Sequence, residues 1–453
     1  MSETNGPLVI RGGTVIDAHG TRKGDVGIAN GVIVDAGELD ASATEIDATG
    51  CIVSTGLVDM HAHLGEPGDE AAETMASAGQ AAVLGGFTTV LAMPNTLPPV
   101  DTAAVVEHVR ALSKAALCTV EVAGTVTVGA EGDRLAPLGE LAAAGVRFVT
   151  DCGTGIQDPL LLRRALEYSK PLGLTIAQAA NCERLAAGAQ MHEGEWSSKL
   201  GLAGAPAEAE EINVLRDLSL VRLTGGRLHF QTLSTAGSFA IVGAAAHSGV
   251  AVSAEVASHH LQLCDADLAG YDTTRKLTPP LRAASDVAAA VRAVAGGQID
   301  AVVTDHTPHT TDRKERTFDH AEPGSVGLET ALAVALSSGI EPADLLRAMS
   351  WRPAELLGLG DPLTRGLQPG AVADVVVIDP TEPFVAAAAA MATRGTNSAF
   401  EGLELTGRVR ATVVHGRIVV RDAMLFDTAT RFDTETLFDT ATHSLTASGK
   451  VMA

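Results

Sequence analysis

The chain has 453 residues, of which 46% are hydrophobic and 3% aromatic, and it carries a formal net charge of −23. That length holds one large domain with appendages or two to three ordinary ones. The charge argues against nucleic acid or an anionic membrane as partner, and with so few aromatics the core has to be built from Val, Leu, Ile and Ala. Five scattered cysteines with no C-x-x-C pair fit a reducing compartment and no disulfide frame. The first residues, M-S-E-T-N-G, have neither a basic start nor an apolar stretch, and no apolar run approaches the length of a membrane span. The expected location is cytoplasmic.

Residues 7–56 read as short strands, with Gly12-Gly13 and Asn30-Gly31 as hairpin signals. A similar texture returns at 374–379 and 409–420. The expected domains are therefore a small β-sandwich from residues 1–56 plus 364–420, a central domain over 57–363, and a polar tail over 421–453. The tail repeats F-D-T three times between Phe426 and Thr440. So polar a repeat predicts an exposed segment, with docking as the other reading.

The middle alternates strand and helix. Strand-like runs fall at 57–59, 88–93, 119–126, 146–150, 174–177, 227–232, 250–256 and 299–304. Helical stretches such as 72–84, 160–169 and 287–295 lie between them. Eight such units in about 250 residues predict an α/β fold, a (β/α)8 barrel resembling that of triosephosphate isomerase, whose chemistry sits at the C-terminal strand ends. That rule selects His61 and His63, Asn95, Asp151, residues 179–183, 232–235 and 258–260, and the segment from Asp305 to His309. His61 and His63 stand two apart, so in a strand they share a side and can grip one divalent cation. Two polar residues in a turn is the plainer reading of that pair alone.

In chain order, D-M-H-A-H-L-G-E-P-G, G-G-F-T-T-V-L-A-M-P-N-T, M-H-E-G, L-S-T-A-G, H-H-L, K-L-T-P-P-L-R, T-D-H-T-P-H and G-L-E-T-A-L together resemble dihydroorotase. The likeness is to the long bacterial type of the amidohydrolase superfamily, from about residue 7 to 420. It implies reversible hydrolysis of a ring amide, as between dihydroorotate and carbamoyl-aspartate in pyrimidine biosynthesis. It also implies one zinc held by His61, His63 and Asp305 with Asp151 bridging, and Asp305 as general base. Asn95 would bind substrate, and residues 320–327 would form the substrate loop with His309 nearby. A homodimer or larger assembly is implied as well.

The departures from the family pattern are local. Ala179 and Thr232 stand where the family has histidines for a second metal. Gly65 replaces the arginine that grips the substrate carboxylate, and Thr278 an asparagine that meets the substrate. The family's S-D-D-G has become Thr150-Asp151-Cys152-Gly153. Ala179 has no ligand atom and a neutral Thr hydroxyl is a poor one, so at most one zinc is expected. Losing the Arg–carboxylate fork removes a contact worth on the order of 1.5–3 kcal/mol. Cys152 and Cys182 are expected to pack as small apolar residues, a Cys-containing metal site being the other reading. His259 and His260 are expected behind the ligands or in packing, and His108, His192, His229, His247 and His415 to be structural.

Two functions stay open at this point. One is a cyclic-amide hydrolase with a single-metal site, acting on dihydroorotate or a relative lacking the carboxylate. The other is a pseudo-dihydroorotase that serves as scaffold for aspartate transcarbamoylase.

Overall fold

The computed structural model describes residues 6–360 and 366–426. Most of the F-D-T repeat lies outside the described residues.

The core is a ring of eight parallel strands. Thr119–Val122, Phe87–Ala92 and Leu57–Ala62 form one arc; Phe148–Val149, Thr175–Ala179, Leu228–Gln231, Val252–Ala257 and Ala301–Val303 form the other. The arcs meet at two seams. Gly124 N–H donates to Phe148 O at 3.0 Å, and His63 N–H to His306 O at 2.8 Å. Parallel strands buried on both faces need near-continuous apolar runs, and Leu57–Ala62 and Phe87–Ala92 are buried throughout. Val58, Met60, Leu91, Phe148, Ala177 and Val303 fill the barrel interior.

Helices such as Met75–Leu84, Pro159–Leu172 and Ala284–Ala295 wrap the ring. The first starts three residues later than the run at 72–84 suggests. Thr74 caps it, accepting from Ser77 N–H at 3.2 Å. Glu73, just ahead, is fully buried and accepts from Thr393 and Ser77.

The two ends of the chain share one sheet. Ile52–Thr55 pairs antiparallel with Val375–Ile378 in a seven-stranded sheet that also holds Glu404–Val414 and Thr14–Asp17. A second sheet, with Leu8–Arg11 and Val26–Ala29, packs on it through Leu8, Ile10, Ile28, Val53, Val375 and Val413. This layer lies at the start of the first barrel strand, away from His61 and His63 at its end. Among the described residues no helix is long and apolar enough to cross a membrane.

Candidate active site

The first barrel strand runs on to Ala62, and its end delivers the H-x-H pair. Buried Asp59 holds that end against the eighth strand, accepting from His61 N–H at 3.3 Å, Thr304 N–H at 3.0 Å and Thr304 O–H at 2.5 Å. Each imidazole is then fixed from behind. His61 Nδ1 lies 2.6 Å from Glu255 Oε1, and His63 Nδ1 lies 2.7 Å from Asn95 Oδ1. A carboxylate only accepts, so the proton of a neutral His61 sits on Nδ1 and its Nε2 carries a bare lone pair. Asn95 Oδ1 does the same for His63.

Glu255 is itself fully buried, and its other oxygen meets His229 Nε2 at 2.9 Å, with His229 Nδ1 at 2.8 Å from Ser253 Oγ. Burial pushes the Glu255 carboxyl up, but the His61 and His229 imidazoles outweigh it and hold it at about 2. His229, expected to be structural, belongs to the chain of groups that orients His61. Nothing in its local sequence signals this.

The two Nε2 atoms converge on Cys152. Its Sγ lies 3.4 Å from His61 Nε2 and 3.9 Å from His63 Nε2. Burial raises the thiol, but the His63 and His61 rings bring it down to about 6. The ligand atoms of His61, His63 and Cys152 all lie within 4.8 Å of one another. Asp305 Oδ1 stands 3.7 Å from His61 Nε2, and burial pushes that carboxyl up to about 7 against the two imidazoles. Its backbone φ is +51°, a left-handed conformation that aspartate tolerates at some cost.

Here the structure corrects the sequence reading of the acid pair. Asp151 does not face the imidazoles. Its Oδ1 accepts from Val126 and Thr127 N–H, each at 2.9 Å, and its Oδ2 from Thr127 O–H at 2.5 Å. The carboxylate is spent on tying the strand-three loop. The next residue, Cys152, takes the place by the histidines, so it is no mere packing residue. Cys182 is not among the residues that line the cavity.

The rim opens into a cavity of about 550 Å³ lined by His61, His63, Asn95, Cys152, Asp305 and others. Ala179, Thr232 and Thr278 line it too, as the strand order requires. Ala179 offers no ligand. Thr232 keeps a left-handed φ of +44°. Gly65 has φ +70°, and a Cβ there would sit 2.6 Å from Glu73 O, so this loop admits no side chain. His309 Nε2 lies 2.8 Å from Pro323 O, which places the ring behind the segment whose Pro323 and Gly324 line the cavity. His259 and His260 are buried outside the lining, His260 Nε2 lying 3.2 Å from Pro280 O.

Two cations reach the cavity, and both are committed. Lys276 Nζ donates to Phe318 O at 2.7 Å and Asp319 O at 3.2 Å. Arg282 donates to Ser234 Oγ at 3.0 Å and Ala205 O at 3.1 Å, with Glu210 3.6 Å away.

The donor set fits a divalent cation: two imidazole Nε2 atoms and a sulfur converge, and although burial alone would lower the two rings, Cys152 raises both, with Glu255 adding to the rise at His61, so the pocket favours positive charge. Across the rim Ala179 presents a methyl group and Thr232 a neutral hydroxyl.

Residues 50–238 match the family model described as dihydro-orotase-like. A dihydroorotase of Pelotomaculum thermopropionicum is 42% identical over 92% of this chain and 99% of its own length. Dihydroorotases of Leifsonia xyli and Mycobacterium tuberculosis are 44% and 42% identical, covering 93% and 88% of this chain and 98% and 96% of their own. Among solved structures, an L-hydantoinase from Arthrobacter aurescens superposes with a TM-score of 0.82 at 22% identity over 92% of this chain and 97% of its own. A dihydropyrimidinase from Brevibacillus agri gives 0.79 at 22% over 92% and 96%. These two carry the barrel fold.

Proposed function

The chain belongs to the dihydroorotase family of cyclic amidohydrolases, and on that premise we propose that it opens a ring amide with one zinc ion held at His61 and His63. The observation that carries this is the convergence of two Nε2 atoms beside Asp305, each ring held by its own acceptor at Nδ1. When bound, the ion supplies electrophilic activation that brings water into ionisation range near neutral pH.

The chain's own residues do the rest. Asp305, with its carboxyl raised toward neutrality, accepts the proton of the attacking water and passes it to the departing ring nitrogen. The carbonyl carbon–nitrogen bond breaks, leaving one open-chain product with a new N–H at one end and at the other a carboxylic acid, which releases its proton to solvent. The reverse direction closes the ring. Asn95 holds His63 in the productive tautomer and lines the substrate cavity. Glu255 does the same for His61 from behind. His309 acts on substrate only through the Pro323 loop that it pins.

The preferred ring is neutral, a cyclic ureide without the carboxylate of dihydroorotate. Gly65 cannot carry a cationic side chain on this backbone, and Lys276 and Arg282 are spent on backbone carbonyls and Glu210. An anionic ring acid would enter without the charged fork that normally anchors it.

A second reading, a silent family member that forms an assembly with aspartate transcarbamoylase, draws on the vacated positions Ala179 and Thr232. One experiment separates the two. Zinc-loaded protein is assayed for ring opening on 5,6-dihydrouracil and on dihydroorotate, and for ring closing on carbamoyl-aspartate. Turnover of the neutral ring supports the hydrolase. No turnover of any of the three, with co-elution of a transcarbamoylase, supports the scaffold.

A further inference from the structure

We infer that Cys152 binds the cation through its sulfur beside His61 and His63, and that at this site for one ion per chain the sulfur sets the kind of ion, zinc-like and not magnesium-like. The inference rests on the one-cation reading above and adds a ligand that the family pattern does not contain.

Geometry comes first. A tetrahedral zinc with Zn–S of about 2.3 Å and Zn–N of about 2.0–2.1 Å holds sulfur and nitrogen about 3.5 Å apart. The two separations at Cys152 are 3.4 and 3.9 Å. Both imidazoles present Nε2 to the sulfur because both Nδ1 atoms are engaged behind. Asp151, the residue that chemistry alone would choose, turns to the 126–127 segment through three hydrogen bonds and is not in the group of ligand atoms gathered within 4.8 Å. Among the described residues this is the one group of three or more such side chains gathered closely enough to hold an ion.

The count follows. A thiolate, like a carboxylate, bridges two cations only when the second has further ligands, and Ala179 and Thr232 supply none. The kind of ion follows from softness: sulfur and imidazole favour zinc, cobalt and cadmium, while magnesium and manganese prefer oxygen. A use of Cys152 as a nucleophile activated by His61 would need the same contact, so the test has to read the sulfur–metal bond itself.

Metal-free protein is titrated with cobalt(II) chloride and followed by near-ultraviolet and visible absorption, with metal content measured per chain. The expected result is one cobalt per chain with a sulfur-to-cobalt charge-transfer band. Cys152→Ser should lose the band and bind zinc on the order of 100-fold more weakly. Cys152→Asp should keep one ion without the band, which separates ligation from a structural role. The melting curves of the metal-free variants check that they fold. A wild-type cobalt protein with no band, or a Cys152→Ser variant with unchanged zinc affinity, overturns the inference. In that event an ion still lost in His61→Ala leaves the one-cation hydrolase standing. If the wild type binds no ion at all, both fall.

Discussion

The two sides of the barrel rim differ in how much of the structure behind them supports a ligand. On the side of the first and eighth strands, His61 and His63 are backed by Glu255 and Asn95, and Asp59 and the His306 carbonyl lock strand to strand. Across the cavity, at the ends of the fifth and sixth strands, Ala179 and Thr232 present a methyl group and a hydroxyl. Yet Thr232 keeps a left-handed φ of +44°, a costly choice for a β-branched residue. Asp305, on the equipped side, holds the same kind of backbone at +51°. The two sides share a left-handed backbone at a strand end, but only one of them joins it to a carboxylate and to imidazoles held by hydrogen bonds from behind. The buried Glu255 carboxylate is paired on both oxygens, with His61 and His229, so its burial is compensated and the His61 ring is held in one orientation.

Rebuilding the bare side makes the sharpest test of this contrast. The triple variant Ala179→His, Thr232→His, Cys152→Asp should raise zinc content from one toward two ions per chain, read by elemental analysis. A variant that stays at one would show that those backbone positions do not face a shared centre. Breaking the equipped side is the converse. Glu255→Gln keeps the shape but removes the charge, and zinc affinity should fall by roughly 10–100-fold, measured by chelator competition. An unchanged affinity would demote the Glu255–His229 chain to packing.

Two smaller effects concern backbone. Gly65→Ala puts a Cβ against Glu73 O at positive φ, and should cost about 1–3 kcal/mol of stability. Thermal unfolding reads this, and a neutral result would reopen the loop to a cationic side chain. Thr232→Asn places a residue that tolerates left-handed backbone at the strained position, and should gain about 1 kcal/mol. A loss of stability would mean that the threonine methyl packs usefully against the cavity wall.

The barrel is legible in the sequence because strands buried on both faces must be apolar runs, and eight of them recur with helices between. The H-x-H pair, Asp305 and the bare positions follow from strand ends once the order of strands is known. Cys152 does not stand out, because neighbouring Asp151 has the better chemistry for a metal, and sequence order alone does not say which of the two points inward. The alternation of the fourth strand carries the missing signal. Phe148 faces the barrel interior and Thr150 reaches Gln231 across it, and two residues further on is 152, not 151. The commitments of His309 and Lys276 to carbonyls of the 318–323 loop depend on residues distant in sequence, so no local pattern could reveal them.

A single zinc ion that drives ring opening can be counted in the purified full-length chain while its hydrolysis of 5,6-dihydrouracil is measured. One zinc per chain, with ring opening that disappears when the zinc is stripped and returns when it is restored, is the predicted result. Two zinc ions per chain, or ring opening that survives stripping, would contradict it.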